Sequence, residues 1–287
     1  MTTAFAVYFL CVLLIAIVAW WRTRDLGDYL LGGKRLGPGT AALSAGASDM
    51  SGWLLLGLPG FAYLSGLESV WLASALLHGS YANWRWLAPR LHRLCTLHRD
   101  VLTLPDLFSR RARSHRRLLR LVAAVFILLF YLVYTASGFV AGGKLFATVY
   151  GFDYHLAVLI GGGVIVLYTF FGGFLAVAWT DVLQGLMMLA ALLAVPLLVM
   201  LDSGSAVEPV VLDWASLLPR DGQGGIAWLG LISALAWGLG YFGQPHILAR
   251  FMALGPAASV TRARRIATTW TALCLFGAIA VGLAGQQ

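Results

Sequence analysis

Apolar residues occur along this chain in long blocks, and polar residues are concentrated between the blocks. A helix needs about 20 mostly apolar residues to cross the hydrocarbon core of a bilayer, and the blocks have about that length. Eight spans are predicted, at Ala4–Trp21, Thr40–Tyr63, Val70–Trp86, Leu119–Phe146, Leu156–Phe174, Asp181–Leu201, Gly225–Leu248 and Ala267–Ala284. The pattern therefore predicts an all-α, multi-pass membrane protein with a single domain, residues 1–287.

Two parts of this pattern are weaker than the rest. The third span carries His78, Asn83 and Arg85 toward its end. The fifth and sixth spans are separated only by Phe171–Phe174 and the polar residues Trp179–Asp181.

Composition supports a membrane protein, and the sequence offers no enzyme motif. Of the 287 residues, 60% are hydrophobic and only 11% are charged, values that are unusual for a soluble domain. Cys11, Cys95 and Cys274 are widely spaced and show no metal, redox or disulfide pattern. No nucleophile–base pair, phosphate-binding loop or metal-ligand spacing is present, so we predict no enzymatic activity and no cofactor.

Basic residues lie almost entirely in alternate loops. The loops after spans one, three and seven hold Arg22, Arg24, Lys34, Arg35, Arg90, Arg93, Arg99, Arg110, Arg111, Arg113, Arg116, Arg117, Arg250, Arg262, Arg264 and Arg265. Cytoplasmic loops of membrane proteins are enriched in lysine and arginine. We therefore predict that these three loops are cytoplasmic and that the N-terminus is outside. The first span is interpreted as a retained helix, because its positive charges follow it rather than precede it.

The long loop between spans three and four has two further interpretations. Its arginines, with the net charge of +8, would suit nucleic acid or anionic lipid. Because they lie next to the membrane, topology and contact with the lipid bilayer explain them better, and no nucleic-acid partner is predicted. Within this loop, Thr103–Phe108 reads as the start of a short interfacial helix. The outer loop Asp202–Gln223 is predicted to be a linker with one helical turn at Asp213–Leu217.

The most informative stretch is Ser44–Trp53, a polar segment inside the second apolar span. It contains Asp49, and a charged residue at the centre of a membrane helix costs about 2.5–3.5 kcal/mol on insertion scales. Irregular backbone at this depth is tolerated only where it lines a cavity or is buried in protein. A functional site is the favoured interpretation; a polar packing seam between helices is the alternative.

The seventh span is interrupted in a similar way. Trp237–His246 contains three glycines and Pro245 within an apolar run, so the helix is expected to break near Gly243–Pro245. Paired interruptions in two halves of a chain point to a transporter binding site. Free N–H groups at such breaks suit a carboxylate, and free carbonyls suit a cation. Trp53, Trp237 and Tyr241 would wall a small amphiphilic substrate, although ordinary lipid-facing positions explain the aromatic residues equally well.

Other candidates are weaker. Tyr134 lies on a polar face of span four that helix packing explains as well as ligand contact does. Asp181, at the start of the predicted span six, would favour a helix N-terminus through its charge. His78 and His246 are isolated in the sequence and are not predicted to be ligands.

Several of these stretches together resemble the sodium:solute symporter family. The matching segments are Leu31–Gly33, Leu36–Pro38, Ala42–Gly60, Leu102–Phe108, Tyr134–Gly142, Phe171–Asp181 and Trp237–Met252. The resemblance implies an inverted-repeat, LeuT-like transporter fold of two five-helix repeats preceded by one extra helix. It also implies a multi-pass protein of the bacterial plasma membrane that carries out sodium-coupled symport by alternating access, with L-proline as the expected solute.

The resemblance also assigns roles to individual positions. It implies that Asp49 is the carboxylate of sodium coupling, that the carbonyls of Ala47 and Met50 bind sodium, and that Asp181 lies nearby. Sodium is thus the coupling ion rather than a cofactor. The implied substrate site comprises Ser51, Gly52, Trp53, Tyr134, Trp237, Tyr241, Gln244 and Pro245. Lys34 stands where the family has arginine, which leaves its gate-side role open.

Family members are nearly twice as long as this chain. The chain holds the extra helix, the first repeat and two helices of the second, so it is expected to be a truncated form that is incomplete at the C-terminus. A symporter for another small solute, a symporter-like sensory module of a signalling kinase, and an inactive fragment remain alternatives.

Overall fold

Helices make up nearly all of the structure. The computed structural model describes residues 2–98, 100–112, 115–202, 214–220 and 225–286. Its helices are α1 Thr2–Arg22, α2 Leu26–Leu31, α3 Pro38–Gly52, α4 Leu58–Ser65, α5 Ser69–Ala82, α6 Ala88–Leu97, α7 Leu104–Arg111, α8 Arg116–Tyr150, α9 Tyr154–Asp202, α10 Trp228–Trp237, α11 Pro245–Ala253 and α12 Ala258–Ala284. The all-α prediction is confirmed.

The apolar helical segments correspond to the predicted spans. Four segments are long and apolar enough to cross a membrane, and two shorter apolar ones accompany them: Pro38–Leu97, Arg116–Tyr150, Tyr154–Leu201, Ala258–Ala284, Ala6–Arg22 and Trp228–Gly243. All eight predicted spans overlap these segments, because the first and third long ones each hold two. The first and seventh predicted spans, Ala4–Trp21 and Gly225–Leu248, extend beyond the matching segments. Many large apolar side chains on α8 and α9 are exposed, as expected where a protein faces lipid.

Helix α9 contains two spans that are joined by a sharp turn. Gly173 has φ 58° and ψ −153°, a conformation that is open mainly to glycine. The side chains of Tyr168 and Thr180 interact across this turn, whereas residues twelve apart in a straight helix would be separated by about 18 Å. The chain therefore reverses direction here, and α9 consists of a first arm (154–172) and a second arm (174–202).

The turn corrects one interpretation of Asp181. The second arm is already helical from residue 174, so Asp181 lies about two turns inside it. The charge of Asp181 is therefore not explained by a helix N-terminus.

The three basic loops meet at one end of the molecule. Leu36 and Leu254 form an isolated backbone bridge, and Lys34 Nζ donates to the Val101 carbonyl over 2.8 Å. His92 Nε2 lies 2.6 Å from the Gly255 carbonyl oxygen. We call this the basic end. Which side of the membrane it faces stays a prediction.

The opposite end is formed by other connections. Trp71 Nε1 donates to the Leu217 carbonyl over 2.8 Å, and Gln286 Nε2 donates to the Tyr63 carbonyl over 2.6 Å. The connections therefore alternate between two ends, as the loop charges predict.

Two smaller loop predictions also have outcomes. The interfacial helix is present as α7, and the Thr103 side chain caps it by accepting from the Asp106 N–H over 3.3 Å. The helical turn of the linker is a 3-10 turn at Trp214–Leu217. Positions 203–213 and 221–223 of the predicted linker, and Arg99 and Arg113 of the long basic loop, lie outside the described residues.

The seventh span packs closely against α5 through a contact between two glycines. A Cβ on Gly79 would collide with the Gly238 carbonyl oxygen, and a Cβ on Gly238 would collide with the Ala75 carbonyl oxygen. The two backbones thus touch directly, as small residues allow in membrane helix packing. This contact places the interrupted part of the seventh span at a fixed depth beside α5.

The membrane orientation is testable with two introduced cysteines. Ala258 is exposed at the basic end and Leu218 at the other end. In a variant whose native cysteines are replaced by alanine, we expect Ala258→Cys to react with an impermeant maleimide only in inside-out vesicles. Leu218→Cys is expected to react only in right-side-out vesicles, because arginine-rich loops are retained in the cytoplasm. Labelling of both positions from the same side would contradict the alternation.

Candidate functional site

The first interrupted helix breaks at Ser51. Ser51 has φ 36° and ψ −152°, a sparsely populated conformation that costs of the order of 1–3 kcal/mol for a residue with a side chain. A π-helical turn, Trp53–Gly57, then connects α3 to α4. The Ser48 carbonyl beside the break accepts from the Tyr134 hydroxyl over 2.8 Å. The strained break is thus stabilised by a hydrogen bond from the Tyr134 side chain to the backbone beside it.

The second interruption is longer and lies at the predicted place. A 3-10 segment, Gly238–Gly243, follows α10. Gln244 is extended, with φ −82° and ψ 107°, and α11 starts at Pro245, a position where proline fits because its missing N–H would be unpaired in any case. The His246 N–H in the first turn of α11 donates to the Tyr131 hydroxyl over 2.9 Å.

One face of α8 therefore serves both breaks. Tyr131 and Tyr134 are three residues apart and share a helix face. Tyr131 accepts from the His246 backbone, and its hydroxyl lies 2.6 Å from His246 Nδ1. The Tyr131 hydroxyl thus binds both the backbone and the ring of His246.

A cavity of about 900 Å³ lies between the two breaks. Its lining includes most of the predicted site residues, namely Asp49, Met50, Ser51, Trp53, Tyr134, Trp237, Tyr241, Gln244 and Pro245. It also includes residues that were not predicted, namely Leu76, Phe126, Ile127, Phe130, Tyr131, Ser137, Gly240, Gly243 and His246. An apolar, aromatic lining with a few convergent polar groups is typical of small-molecule sites of this size.

The polar groups of the cavity gather around Asp49. Its Oδ1 lies 3.8 Å from His246 Nε2, and both side chains are nearly buried. The Tyr241 hydroxyl interacts with the same carboxylate. Among the described protein atoms, His246 Nε2 and Gln244 Oε1 are buried without a hydrogen-bond partner. Buried polar atoms are normally paired, so these two groups and the carboxylate are available to a ligand.

The interpretation of His246 as an isolated residue is wrong. The structure brings it against Asp49, Tyr131 and Tyr134, with its ring stacked on that of Tyr134 at 5.7 Å between centroids. A local signal exists in the sequence, because His246 directly follows the Gln-Pro pair of the second break.

Asn83 is a second residue that the sequence analysis did not assign to the site. It is fully buried, and its Nδ2 donates to the Tyr241 carbonyl over 2.8 Å. It begins a π-helical turn, Asn83–Leu87, between α5 and α6, and such turns occur frequently at functional sites. Asn83, whose polarity made the third predicted span less certain, thus stabilises the second break through a hydrogen bond.

Three predicted site residues lie outside the cavity lining. Gly52 lies in the first break, where open space would receive a Cβ. Ala47 faces the second arm of α9, since a Cβ on Gly185 would lie 3.2 Å from the Ala47 Cβ. Asp181 is buried at the interface of α3, α9 and α11, on a different face of α3 from Asp49.

Asp181 is held in a buried ion pair with Arg250. Arg250 Nη2 lies 2.9 Å from Asp181 Oδ2. The same carboxylate oxygen accepts from the hydroxyls of Ser44 over 2.6 Å and Ser48 over 2.9 Å. The guanidinium is therefore the cation that Asp181 pairs with in this structure. A sodium role for Asp181 stays a prediction.

The remaining donors of Arg250 are also paired. Its Nε donates to Ser44 Oγ over 2.9 Å and its Nη1 to the His246 carbonyl over 2.8 Å. The guanidinium also lies over the Phe174 ring, 5.2 Å from its centroid. Pairing at every guanidinium nitrogen makes this buried charge tolerable.

Comparison with known proteins agrees with this architecture. The model of the sodium:solute symporter family matches residues 29–287. The chain belongs to this family. As expected for a family member, its helices fit an extra helix (α1), a first repeat (α3–α9) and the beginning of a second repeat (α10–α12).

Several curated proteins are similar to this symporter-family chain along almost its whole length. The sodium/proline symporter of Escherichia coli K12 is 47% identical over 286 residues, which is 99% of this chain and 57% of that protein. The sodium/proline symporter of Haemophilus influenzae is 48% identical over 97% of this chain and 56% of its own length. The high-affinity proline transporter PutP of Bacillus subtilis is 46% identical over 95% of this chain and 58% of its own length. The chain thus spans little more than half the length of these relatives.

A solved structure confirms the fold. A Na⁺-coupled sialic acid symporter in a substrate-bound, outward-open state superimposes with a TM-score of 0.81 over 97% of this chain and 59% of that chain. At 19% sequence identity, this likeness supports the inverted-repeat transporter fold and nothing about the solute.

The ion pair generates a stability prediction. Removing one partner of a buried pair leaves an uncompensated charge, so Arg250→Ala is expected to lower the free energy of unfolding by about 3–5 kcal/mol. Unfolding by SDS in mixed micelles, followed by circular dichroism, measures this change. Arg262→Ala is the control, because Arg262 is exposed.

The double variant Asp181→Leu/Arg250→Met is expected to recover much of that loss, since it removes both charges together. Unfolding of Arg250→Ala at the same SDS fraction as Arg262→Ala would show that the pair contributes nothing to stability.

Proposed function

We propose that this protein acts in sodium-coupled symport of L-proline across the bacterial plasma membrane by alternating access. Membership of the symporter family and the proline specificity in the names of its relatives support this proposal. The N-terminus is proposed to lie outside, on the strength of the loop charges.

The observation that carries the proposal is the placement of Asp49. It is the only carboxylate among the described residues that line the cavity, and no lysine or arginine is among them. A carboxylate at membrane depth needs a cationic partner or a proton. Backbone carbonyls at a helix break can supply further oxygen ligands of the kind that a small, hard cation takes, through the lone pair that a single hydrogen bond leaves.

The proposed sodium ligands lie along α3 and on α9. They are the carboxylates of Asp49 and Asp181 and the backbone carbonyls of Ala47 and Met50. The Met50 carbonyl accepts from the Trp53 N–H, which leaves its second lone pair for an ion. In this structure Arg250 and the hydroxyls of Ser44 and Ser48 bind Asp181 Oδ2, so a sodium ion at this carboxylate would share it with the guanidinium.

The proposed proline site lies on the cavity side of Asp49. The Trp53 and Trp237 rings pack at 5.4 Å between centroids and form an apolar wall for the pyrrolidine ring. The N-terminus of α11 opens beside Gln244 and Pro245, and its partial positive charge suits the carboxylate of the solute. Ser51, Gly52, Tyr134 and Tyr241 complete the proposed site.

Alternating access would move the two repeats relative to each other about this site. In transporters of this type the binding site lies where the repeats meet. Here the cavity lies between α3 and α8 of the first repeat and α10–α11 of the second, which supports this part of the proposal.

Sodium coupling predicts a specific defect at Asp49. We expect Asp49→Asn to raise the sodium concentration for half-maximal proline uptake at least tenfold, about 1.4 kcal/mol. Asp49→Glu is expected to have a milder effect because it keeps the charge. The measurement is uptake of labelled proline into proteoliposomes at varied external sodium.

Asp25→Asn is a matched control, because Asp25 is an exposed carboxylate in the segment before α2. Unchanged sodium dependence in Asp49→Asn would reject the coupling role. Sodium-driven uptake of a different solute in preference to proline would reject only the choice of solute.

The substrate site generates a separate prediction. Trp237→Ala is expected to raise the apparent KM for proline about tenfold, which corresponds to ~1.4 kcal/mol of lost contact. Tyr241→Phe, which removes only the hydroxyl facing Asp49, is expected to change sodium dependence more than the KM for proline. Initial uptake rates at varied proline and fixed sodium measure both.

Trp228→Ala serves as the control, because Trp228 begins α10 with 62% of its surface exposed and does not line the cavity. Equal KM values in Trp237→Ala and Trp228→Ala would remove Trp237 from the solute site.

A further inference from the structure

A second, much smaller cavity also adjoins Asp49. Its volume is about 10 Å³, and it lies between α3, α5, α12 and the second break. Asp49, Met50 and Tyr241 line both this small cavity and the cavity of about 900 Å³, so the two are direct neighbours. A single water molecule needs about 10–15 Å³. The small cavity therefore has room for one particle of that size, such as a water molecule or a dehydrated metal ion.

Oxygen-bearing side chains surround the small cavity. Besides Asp49 and Tyr241, its lining includes Ser80, Asn83 and Thr271, all of them buried. Asn83 Nδ2 donates to the Tyr241 carbonyl over 2.8 Å, whereas Asn83 Oδ1 is buried without a hydrogen-bond partner among the described protein atoms. Buried acceptors are normally paired, so Oδ1 is left for an occupant of this cavity.

Charge decides what that occupant is. Asp49 is the only charged group in the described lining of the small cavity, which contains no lysine, arginine or histidine. Carboxylate, amide and hydroxyl oxygens together suit a hard cation. One carboxylate balances a single positive charge, whereas a divalent ion would leave a buried charge uncompensated, which is costly. The lining thus favours a monovalent cation.

We propose that the small cavity binds one sodium ion between the Asp49 carboxylate and Asn83 Oδ1. The hydroxyls of Ser80 and Thr271 complete its oxygen ligands. This inference rests on the sodium coupling proposed above, and it adds a location for the ion and three ligands outside α3. Asp181 does not line the small cavity, so an ion here is separate from any ion at Asp181.

The position of this ion explains how sodium would prepare the solute site. Asp49 lies on α3 of the first repeat, and Thr271 lies on α12 of the second. Asn83 also binds the Tyr241 carbonyl within the second break. An ion held by these three residues would tie the two repeats together and fix the second break, beside the wall that Trp237 contributes to the larger cavity.

Sodium binding by the purified chain in detergent tests the site without any transport assay. All the proposed ligands belong to this chain, so the chain alone is expected to bind the ion. A ligand that binds only the folded state raises its stability. We therefore expect the thermal unfolding temperature to rise as sodium chloride replaces choline chloride at constant total chloride. Potassium is expected to give a smaller rise, because selectivity depends on cavity size and ligand number.

Two hydroxyl deletions probe the ligands directly. Thr271→Val keeps the shape of the side chain, and Ser80→Ala removes only an oxygen. Each is expected to raise the sodium concentration for half of the temperature rise about tenfold. Thr271→Ser keeps the hydroxyl and is expected to resemble the wild-type chain. Thr268→Val is the matched control, because Thr268 Oγ1 is also buried without a partner on α12 but does not line the small cavity.

Three outcomes would overturn this site. Equal temperature rises in sodium, potassium and choline would show that the small cavity holds water only. An equal loss of sodium affinity in Thr268→Val and Thr271→Val would show a general effect of altering α12. A sodium response that Asp49→Asn weakens, but that Thr271→Val and Ser80→Ala leave unchanged, would place the ion elsewhere while leaving sodium coupling at Asp49 intact. If Thr271→Val does not fold, Ser80→Ala decides by the same comparison.

Discussion

Within a bilayer every backbone N–H and C=O must find a partner in the protein, and the two interrupted helices of this chain depend on how that requirement is met. Tyr134 donates to the Ser48 carbonyl at the first break, and Tyr131 accepts from the His246 N–H at the second. Both tyrosines belong to α8. One face of α8 therefore supplies hydrogen-bond partners to both irregular segments, which face each other across the cavity. Continuous helices at these positions would have filled that space with side chains.

Helix α3 separates two polar assemblies that serve different purposes. Ser44 and Ser48 are four residues apart, so they share a face, and that face meets the Asp181–Arg250 pair. Asp49, one residue further on, is turned by about 100° along the helix and lines the cavity. Arg250 connects the assemblies, because it pairs with Asp181 and also donates to the carbonyl of His246, the residue beside Asp49. A movement of Arg250 would therefore change the surroundings of both carboxylates.

Local signals in the sequence were sufficient for the helices and the breaks. Glycine, proline and a carboxylate inside apolar runs change backbone geometry or solvation wherever they occur, so both breaks and Asp49 could be predicted without tertiary information. The partners of these features could not. Asn83 meets Tyr241 across 158 residues of chain, and Ser44 meets Arg250 across 206. Such pairings depend on how helices pack, and hydropathy does not encode them. The chain reverses direction at a single residue, Gly173, instead of in a polar loop. The sequence therefore predicted the start of the helix that carries Asp181 about two turns too late.

The backbone contact between Gly79 and Gly238 has a consequence for mutagenesis. Neither glycine lines the cavity at Asp49, yet any side chain at either position would meet backbone atoms rather than a flexible group that can move aside. A systematic cysteine scan would therefore record both positions as intolerant, although neither lines the cavity. At these glycines the defect would originate in the forced separation of two helices.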